Sequence, residues 1–458
     1  MEKLKFTSSA GNQYFYDNVS GFIYPASGHV FPVQDRILPG QVKAEKADIE
    51  RYLAQNGCRQ LLLEVTEKCN LRCEYCIYSS HYENTREHGC RNMPKETAFK
   101  AVDQYFASYE RTSLHNPLRE PAISFYGGEP LLNFQLIQEI VEYVEKSYPQ
   151  LQVNYNVTTN GLLLTEEAAR FLTEHNFAVI VSLDGDEENH DRNRKRADGQ
   201  GSFGQVYANL CRFREQYPDY GKIGLSVCMD FQTDLEAVEE FFTQNHFFVV
   251  MLNMINDAET DYYRSFTKED KALFFHRMEK LKKKYFSLAQ KEGILLSDHS
   301  FLFALFGAGY VEMCFHSLLE EGRPYFMPCT GSCIPGEKVY VTVNGIYHMC
   351  ERISPQFPIG NVETGLDYES IAKYVNAFNS FSEKCRECSV GRMCGICLAR
   401  ASAGNEIKLP EGYCEGRRAY ICNQLKDYAD LMEAGPEQME KAIHACYVKL
   451  NSIAGDHC

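Results

Sequence analysis

The sequence predicts an α/β protein built on a partial (β/α)6 TIM-like barrel, with a short β-rich segment before it and a small Cys-rich domain after it. Six strand-like apolar runs alternate with amphipathic helical stretches between residues 60 and 254. Such alternation predicts a parallel sheet with right-handed crossovers, and six units indicate a partial barrel rather than a closed one of eight. Cysteine, glycine and proline crowd residues 329–425, where the alternation stops. This change predicts a small domain that metal stabilises more than an apolar core.

The elements of the barrel follow one another along the chain. The predicted strands are QLLLEVT, AISFYG, VNYNVTT, AVIVSLD, IGLSVCM and FFVVMLN. Between them, residues with helical periodicity predict helices near 94–110, 133–147, 165–175, 203–216 and 234–244. Before the barrel, short aromatic runs broken by Gly, Asn and Pro predict two or three strands, and a helix is expected near 43–55.

These patterns divide the chain into five parts. Residues between the barrel and the Cys-rich region have a mostly helical pattern, and so does the end of the chain. We therefore expect a β-rich segment at 1–58, the barrel at 59–255, a helical bridge at 256–328, the Cys-rich domain at 329–425 and a helical tail at 426–458.

Composition and charge narrow the possible functions. Lys and Arg number 47 against 62 Asp and Glu, and the formal charge of −15 argues against unaided binding to nucleic acid or an anionic membrane. The N-terminus lacks the apolar stretch of a signal peptide, and the most apolar run, 247–255, is too short to span a bilayer. We expect a cytoplasmic protein. Its 19 cysteines then indicate metal binding or catalysis rather than disulfides.

Three cysteines, Cys69, Cys73 and Cys76, follow the first predicted strand with C-x3-C-x2-C spacing. One loop with this spacing can wrap three corners of a cube-shaped [4Fe–4S] cluster, which four thiolates normally hold. With three protein ligands, one iron stays open to a substrate. A structural zinc site and a chance grouping are the alternatives, but zinc favours paired C-x2-C modules. The loop also lies just past a strand, where barrel enzymes place their chemistry.

Short segments with turn-forming residues follow the next three strands. Each segment alone is best explained as a tight turn, yet the carboxyl ends of parallel strands meet at one edge of a sheet. Glycine lets backbone carbonyls approach a ligand closely, and an arginine fork suits a carboxylate. The residues that we expect to bind a ligand there are Gly127, Gly128, Glu129 and Pro130 after the second strand, Asn160 after the third, Ser182 at the end of the fourth, and Arg194 beyond it.

With these residues the barrel region resembles the radical SAM superfamily. Cys69, Cys73 and Cys76 match its C-x3-C-x2-C motif, with the aromatic Tyr75 before the last cysteine, and Gly127–Pro130 resembles its GGEP motif. The resemblance implies a [4Fe–4S] cluster whose open iron is chelated by S-adenosylmethionine (SAM). Reductive cleavage of SAM then gives a 5′-deoxyadenosyl radical that abstracts a hydrogen atom from the substrate.

A second set of cysteines occupies the last third of the chain. The run KVYVTVNGIYH predicts a β-hairpin with its turn at Asn344-Gly345. Such a hairpin returns the chain so that Cys333 and Cys350 can reach the same metal group. The further cysteines follow with C-x2-C-x5-C-x2-C spacing, at Cys385, Cys388, Cys394 and Cys397, before Cys414 and Cys422.

This arrangement resembles the SPASM domain, which carries two auxiliary [4Fe–4S] clusters in some radical SAM enzymes. It departs from that pattern in one place, since two residues rather than three separate Cys394 from Cys397. Two zinc sites are the alternative. Cys228, in the fifth strand, is expected in the core. The resemblance implies that one cluster takes Cys329, Cys333, Cys350 and Cys397, and the other Cys385, Cys388, Cys394 and Cys414, with Cys422 as the rival for the last position.

The resemblance also implies a substrate class, because SPASM enzymes mostly modify peptides or proteins. We expect a peptide maturase that installs thioether cross-links in a ribosomally made, Cys-rich precursor peptide. The alternatives are a formylglycine-generating enzyme of the anaerobic sulfatase type, another radical peptide cross-linker, and a non-enzymatic iron–sulfur electron carrier or scaffold. Glu351 stands where formylglycine-generating relatives have a catalytic Asp. It is a candidate base or simply a solvated surface charge, and the change from Asp favours thioether formation.

Two partners are expected besides SAM. An electron donor such as a flavodoxin or ferredoxin would reduce the SAM-binding cluster. The aromatic strands at 13–24 would pair with the leader sequence of the precursor peptide, as an added strand on a sheet edge. The alternative for this segment is a plain hairpin that covers the floor of the barrel.

Overall fold

The computed structural model describes most of the chain in several stretches. Cys329, one of the predicted cluster ligands, lies outside them. The described residues are 3–18, 20–27, 43–82, 86–255, 257, 260–292, 298–311, 313, 326–327, 333–435 and 437.

A six-stranded parallel sheet forms the centre of the molecule and confirms the predicted partial barrel. Its strands run in the order in which they occur along the chain, and each is paired in parallel with the next. The strands are β4 (Gln60–Thr66), β5 (Ala122–Gly127), β6 (Asn154–Thr159), β7 (Ala178–Ser182), β8 (Ile223–Met229) and β9 (Val249–Met254).

Helices connect these strands close to the predicted positions. A short additional helix follows β7. The helices are α2 (Lys95–Ser113), α3 (Phe134–Ser147), α4 (Glu166–Glu174), α5 (Glu187–Asn193), α6 (Phe203–Gln216) and α7 (Leu235–Asn245), and α1 (Lys46–Asn56) precedes the sheet.

Local sequence explains where these elements begin and which face they bury. The side chain of Thr165 accepts a hydrogen bond from Ala168 N at the start of α4, and Asp234 caps α7 in the same way. Strand β4 is buried along its whole length, as expected for a parallel strand covered on both sides. Its alternate residues Leu61 and Leu63 join the apolar core, which the buried faces of the helices complete.

The segment after the barrel is helical where it is described, as the sequence predicts. Helix α8 (Lys268–Glu292) is followed by the short α9 (Ser300–Leu302) and a π-helical turn at Phe303–Gly307. No helix in the described ranges combines the length and apolar character that a membrane crossing requires.

The predicted hairpin is confirmed, but it belongs to the barrel sheet. Strand β10 (Lys338–Val341) pairs antiparallel with β11 (Ile346–His348), and Gly345 in the turn has a φ of +79°. On its other side β10 pairs in parallel with β4. The sheet therefore extends past the first barrel strand, and the domain boundaries that we expect from the sequence stay a prediction.

The rest of the C-terminal part combines short strands with two longer helices. A helix that begins at Tyr413, 13 residues before the predicted tail at 426, carries both Cys414 and Cys422. These elements are β12 (Gly360–Asn361), β13 (Gly365–Leu366), α10 (Tyr368–Ser382), α11 (Leu398–Ala401), β14 (Ser402–Ala403), β15 (Glu406–Ile407) and α12 (Tyr413–Ala434).

The N-terminal segment forms an antiparallel sheet with the order β1 (Leu4–Thr7), β2 (Gln13–Tyr16) and β3 (Ile23–Pro25). Its polar side chains dock on α12. Ser9 Oγ donates to Asp430 Oδ2 over 2.6 Å, and Tyr14 Oη donates to Glu433 Oε1 over 2.8 Å. These contacts place the segment against α12, and not on the barrel floor as one of the two expectations had it.

Candidate active site

The loop that carries the first three cysteines leaves β4 at the carboxyl end of the sheet. Its backbone is fixed to the segment after α5: Leu71 forms a β-bridge with Arg196, and Arg72 N donates to Lys195 O over 2.7 Å. Within the loop, Leu71 N donates to the Sγ of Cys69 over 3.4 Å. The position of the cysteine loop is therefore set by backbone contacts of the chain itself.

The three thiols are close enough for their charges to interact. Burial raises the pKa of Cys69 to about 11, and the charges of Glu129 and Cys76 contribute to the rise. Burial also raises the pKa of Cys73, where the charges of Cys76 and Cys69 add to it and that of Arg194 opposes it. Thiolates so placed suit a polynuclear iron cluster, which supplies the positive charge that keeps them ionised. Among the described residues, no three His, Cys, Asp or Glu side chains converge as ligands of a single metal ion.

Glu129 connects two of the predicted ligand-binding segments. Its carboxylate is buried and accepts hydrogen bonds from Leu131 N at 3.1 Å, Thr159 Oγ1 at 2.7 Å and Asn160 N at 2.7 Å. Burial raises the pKa of Glu129 to about 7, although these hydrogen bonds oppose the rise. The side chain thus holds the ends of β5 and β6 together, beside the cysteine loop.

The two glycines before Glu129 allow the chain ends to touch. A Cβ at Gly127, where φ is +148°, would collide with Thr66 O, and one at Gly128 would collide with Lys68 O. The backbones are joined here, because Gly128 N donates to Thr66 O over 2.9 Å. Pro130, which is buried, begins a 3₁₀ turn at Pro130–Asn133.

Asn160 and Ser182 reach the same edge of the sheet. Asn160 Nδ2 donates to Asn70 Oδ1 in the cysteine loop over 2.7 Å, and its Oδ1 accepts from Leu162 N over 3.0 Å. Ser182 is the last residue of β7 and lies level with Ser226 of β8. The structure therefore brings the ends of β5, β6 and β7 to the cysteine loop, as the sequence predicts.

Arg194 is held by an acid that the sequence analysis did not assign. Its Nε donates to Asp184 Oδ2 over 2.8 Å, and both side chains are almost fully buried. Tyr75 Oη donates to the same oxygen over 2.6 Å, and the guanidinium lies 5.3 Å from the centre of the Tyr75 ring. Burial lowers the pKa of Arg194, but the charge of Asp184 outweighs it and the pKa stays well above its usual value. One donor of the predicted carboxylate fork is thus already used within the protein.

His190 is linked by hydrogen bonds to Asp184 directly and to Arg194 through Ser202. Its Nδ1 accepts from Asp184 N over 3.3 Å, and its Nε2 lies 2.9 Å from Ser202 Oγ. Because Ser202 Oγ donates to Arg194 O over 2.7 Å, the proton between His190 and Ser202 belongs to Nε2. Burial lowers the pKa of His190 to about 4, so the ring is neutral at neutral pH.

Cys228 does not lie in the core, contrary to the expectation from the sequence. It is partly exposed, whereas its neighbours Val227 and Met229 pack into the core. Its backbone N donates to Asp184 Oδ1 over 2.9 Å. Side chains alternate across a strand, so Cys228 faces the inside of the barrel, next to the Arg194–Asp184 pair.

The second set of cysteines forms two groups. Burial raises the pKa of Cys333, and the charges of Glu337 and Cys397 contribute. Burial raises the pKa of Cys350 to about 12, and the charge of Cys397 again contributes. Cys397 therefore lies near Cys333 and Cys350, although in the sequence it is only three residues from Cys394.

The other group gathers around Cys394. Burial raises the pKa of this thiol, Arg417 opposes the rise, and the charges of Cys388 and Cys414 add to it. Cys422 is a further neighbour. Burial raises the pKa of Cys422, Arg418 opposes the rise, and the charge of Cys388 adds to it. Cys385 is buried, and its backbone O accepts from Cys388 N over 3.2 Å. Both candidates for the last ligand position, Cys414 and Cys422, thus lie on α12 beside this group.

Glu351 is not a solvated surface charge. It exposes 14% of its side chain and lies between Lys338 Nζ, 3.0 Å from Oε2, and Arg352 Nε, 3.6 Å from Oε1. Burial acts to raise the pKa of Glu351, but the two cations outweigh it and hold the pKa at about 2. A carboxylate held in this way is a weak base near neutral pH.

The radical SAM superfamily model matches residues 63–243, which include the cysteine loop, Gly127–Pro130, Asn160, Ser182 and Arg194. Residues 63–243 are a radical SAM domain.

Three known proteins are similar to this chain over most of its length. The chain is 24% identical to the cysteine-type anaerobic sulfatase-maturating enzyme of Clostridium novyi, over 79% of this chain and 93% of that one. It is 23% identical to the radical SAM cyclopropyl synthase TigE of Paramaledivibacter caminithermalis, over 81% of this chain and 75% of that one. The solved structure of anSMEcpe with bound AdoMet has the same fold, with a TM-score of 0.61 and 21% identity over 87% of this chain and 99% of that chain.

The protein is therefore an enzyme, and the alternative of an electron carrier or scaffold is set aside. Its radical SAM domain implies SAM and one [4Fe–4S] cluster. Sequence reasoning missed Asp184 as the partner of Arg194 and missed the inward position of Cys228. The only signals were a carboxylate within the Ser182–Gly185 turn and the alternation of β8, in which Cys228 shares a face with Ser226.

Proposed function

We propose that this enzyme modifies a peptide or protein substrate by hydrogen abstraction and that it carries three [4Fe–4S] clusters. The observation that carries the proposal is the grouping of the C-terminal cysteines into two sets beside a radical SAM domain. A radical SAM domain alone requires one cluster. Two further sets of thiols in the same chain suit an oxidation in which electrons must leave the substrate.

The first cluster and SAM would bind at the carboxyl end of β4 to β7, on Cys69, Cys73 and Cys76. When bound, they supply a 5′-deoxyadenosyl radical that removes a hydrogen atom from the substrate. Glu129 holds the segment whose backbone would face the SAM ammonium, and Asn160 ties that segment to the cysteine loop. Arg194 and Ser182 would bind the carboxylate or ribose of SAM, with Asp184 fixing the direction of the guanidinium.

The two auxiliary clusters would use the two groups of cysteines. The distribution of charge neighbours supports the assignment, including the crossing of Cys397 to the group of Cys333 and Cys350. One cluster would be bound by Cys329, Cys333, Cys350 and Cys397, and the other by Cys385, Cys388, Cys394 and either Cys414 or Cys422.

The product that we propose is a thioether cross-link in a Cys-rich precursor peptide. In this reaction the substrate loses one hydrogen atom from carbon and one proton from sulfur, and a further electron passes to the enzyme as the sulfur–carbon bond forms. An auxiliary cluster would accept that electron. Glu351 is a candidate for the proton acceptor, although its two cationic neighbours weaken it as a base.

Formylglycine formation on a sulfatase is the second candidate. The observation that favours it is the similarity to a sulfatase-maturating enzyme over 79% of this chain. Both reactions begin with abstraction of a hydrogen atom from a carbon of the substrate, so the barrel site suits either one. They differ in whether the sulfur stays in the product.

Two partners complete the proposal. A leader sequence would add a strand to an edge of the β1–β3 sheet, whose backbone groups suit an extended peptide. A flavodoxin or ferredoxin would reduce the SAM-binding cluster.

The test is anaerobic incubation of the reconstituted enzyme with SAM and dithionite, first alone and then with a substrate. We expect 5′-deoxyadenosine by chromatography; its absence from protein with about twelve irons per chain would contradict the proposal. A Cys-rich precursor peptide and a peptide around the active-site cysteine of a sulfatase are then compared by mass spectrometry. Loss of two hydrogen atoms with sulfur retained indicates a thioether, whereas loss of two hydrogen atoms together with replacement of sulfur by oxygen indicates formylglycine.

A further inference from the structure

The inside of the barrel is lined by polar side chains at the carboxyl end of its strands. Glu64 of β4 lies level with Tyr126 of β5, and Cys228 of β8 lies level with Asn253 of β9. Alternate residues of these strands point the opposite way and join the core, as Leu63 and Val227 do. The cavity can therefore hold a polar group of a substrate.

One arginine from the C-terminal part reaches across this cavity. Arg352 follows the proposed ligand Cys350 by two residues, and its Nη2 donates to Asn253 Oδ1 over 3.2 Å. Its charge interacts with Tyr126 and Cys228, which belong to other strands of the barrel. Arg352 still exposes 56% of its side chain. The guanidinium thus lies at the barrel mouth with surface left for a ligand.

Arg352 shares its carboxylate partner with a second cation. Lys338 and Arg352 flank the single carboxylate of Glu351. Asp184 is already paired with Arg194 over 2.8 Å. A half-exposed guanidinium that shares its carboxylate with a lysine has N–H donors left for an anionic ligand.

We propose that Arg352 binds a carboxylate of the peptide substrate and so sets a preference for an acidic group near the residue that is modified. The inference rests on the proposed function, since it requires a peptide in the barrel. A planar guanidinium suits a carboxylate through paired N–H donors. The nearby Cys228 also donates its backbone N–H to Asp184, so the bound group would lie next to the side of the cavity that faces SAM. Arg352 is therefore a specificity-determining residue.

The experiment compares matched fluorescent peptides for binding to the reconstituted enzyme in the presence of SAM, by fluorescence anisotropy. Each peptide contains one cysteine; beside it stands Asp, Asn or Lys, and the C-terminus is either free or amidated. We expect the Asp peptide with an amidated end to bind about fivefold to tenfold more tightly than its Asn counterpart. If the free C-terminus causes the difference instead, the carboxylate is that of the chain end rather than of a side chain.

Variants then show whether Arg352 is responsible. Arg352→Gln removes the preference, and Arg352→Glu reverses it towards the Lys peptide. Arg277→Gln is the matched control. Arg277 lies on helix α8, is paired with Asp234 over 2.6 Å and is not part of the site. The control keeps the wild-type preference.

The outcomes separate this inference from the proposed function. Equal binding of the acidic, neutral and basic peptides to the unmodified enzyme overturns the carboxylate site but leaves a peptide-modifying enzyme in place. Binding of none of the peptides overturns both. A preference that persists in Arg352→Gln also overturns the assignment, and the comparison on the unmodified enzyme holds even if that variant does not fold.

Discussion

The barrel half, residues 60–255, and the C-terminal region, residues 333–435, hold their cysteines in different ways. In the barrel half, the cysteine loop is bound to its surroundings by backbone hydrogen bonds, and Glu129 and Asp184 fix the adjacent segments. In the C-terminal region, residues 383–386 and 391–393 form short 3₁₀ turns, and Arg392 N donates to Asn18 Oδ1 over 2.7 Å. We therefore expect the first site to be preformed by protein contacts and the second to depend more on what its thiols bind.

Selective removal of the cysteine groups should give the largest difference between the two regions. Replacing Cys69, Cys73 and Cys76 with Ala should abolish 5′-deoxyadenosine formation and lower the iron content from about twelve to about eight per chain. Replacing Cys388 and Cys394 should remove about four irons but leave SAM cleavage in place. Iron analysis and chromatography measure both quantities. An unchanged iron content in the first variant would contradict the assignment.

Removal of all iron should loosen the two regions unequally. A structural metal group contributes folding free energy directly, and small Cys-rich segments have little core to replace it. We expect amide hydrogen exchange at residues 383–412 to rise by at least tenfold in the iron-free protein, while β4–β8 stay protected. Hydrogen exchange with mass spectrometry compares the two forms. Similar changes in both regions would show that the barrel site is not preformed.

The same contrast explains what the sequence could predict. Strands such as β5 and β8 were predicted with the bounds that the structure shows, because continuous apolar runs and local turn residues encode them. The spacing of Cys69, Cys73 and Cys76 is local too. The parallel pairing of β10 with β4 joins segments far apart in the sequence, and no local pattern encodes it.

The hydrogen-bond partners of single side chains could not be predicted from the sequence either. Asp184 holds Arg194 across a turn and a short helix, and Arg352 meets Asn253 on a strand from another part of the chain. In the sequence, each of these two arginines indicates only a positive charge and not the residue that it contacts. The roles of single residues at the site therefore needed the structure, while the class of chemistry could be predicted from motif spacing.

The buried ion pair in the barrel half should contribute more to stability than an exposed pair elsewhere. Asp184→Asn leaves Arg194 buried without its counterion, and we expect a loss of about 3 to 5 kcal/mol in the free energy of unfolding. The control is Glu363→Gln, because Glu363 and Lys100 are both more than half exposed, and we expect little change there. Anaerobic urea unfolding measures both variants. Equal effects would mean that Asp184 is not the main partner of Arg194.

The smallest expected effect is a pH dependence of the unfolding free energy that comes from His190, which contacts Asp184. His190 is neutral in the folded protein because burial lowers its pKa to about 4, whereas in the unfolded chain it takes up a proton below about pH 6.5. The contribution of the neutral His190 ring to folding stability is therefore fully present above about pH 6.5. It is lost as the pH falls towards 4, and the loss is about 2 kcal/mol at about pH 5. His190→Gln can still donate to Ser202 but does not titrate, so its unfolding free energy should fall less between about pH 7 and about pH 5. Urea unfolding at the two pH values measures this difference, and equal slopes for the variant and the unmodified enzyme would show that His190 is not the titrating group.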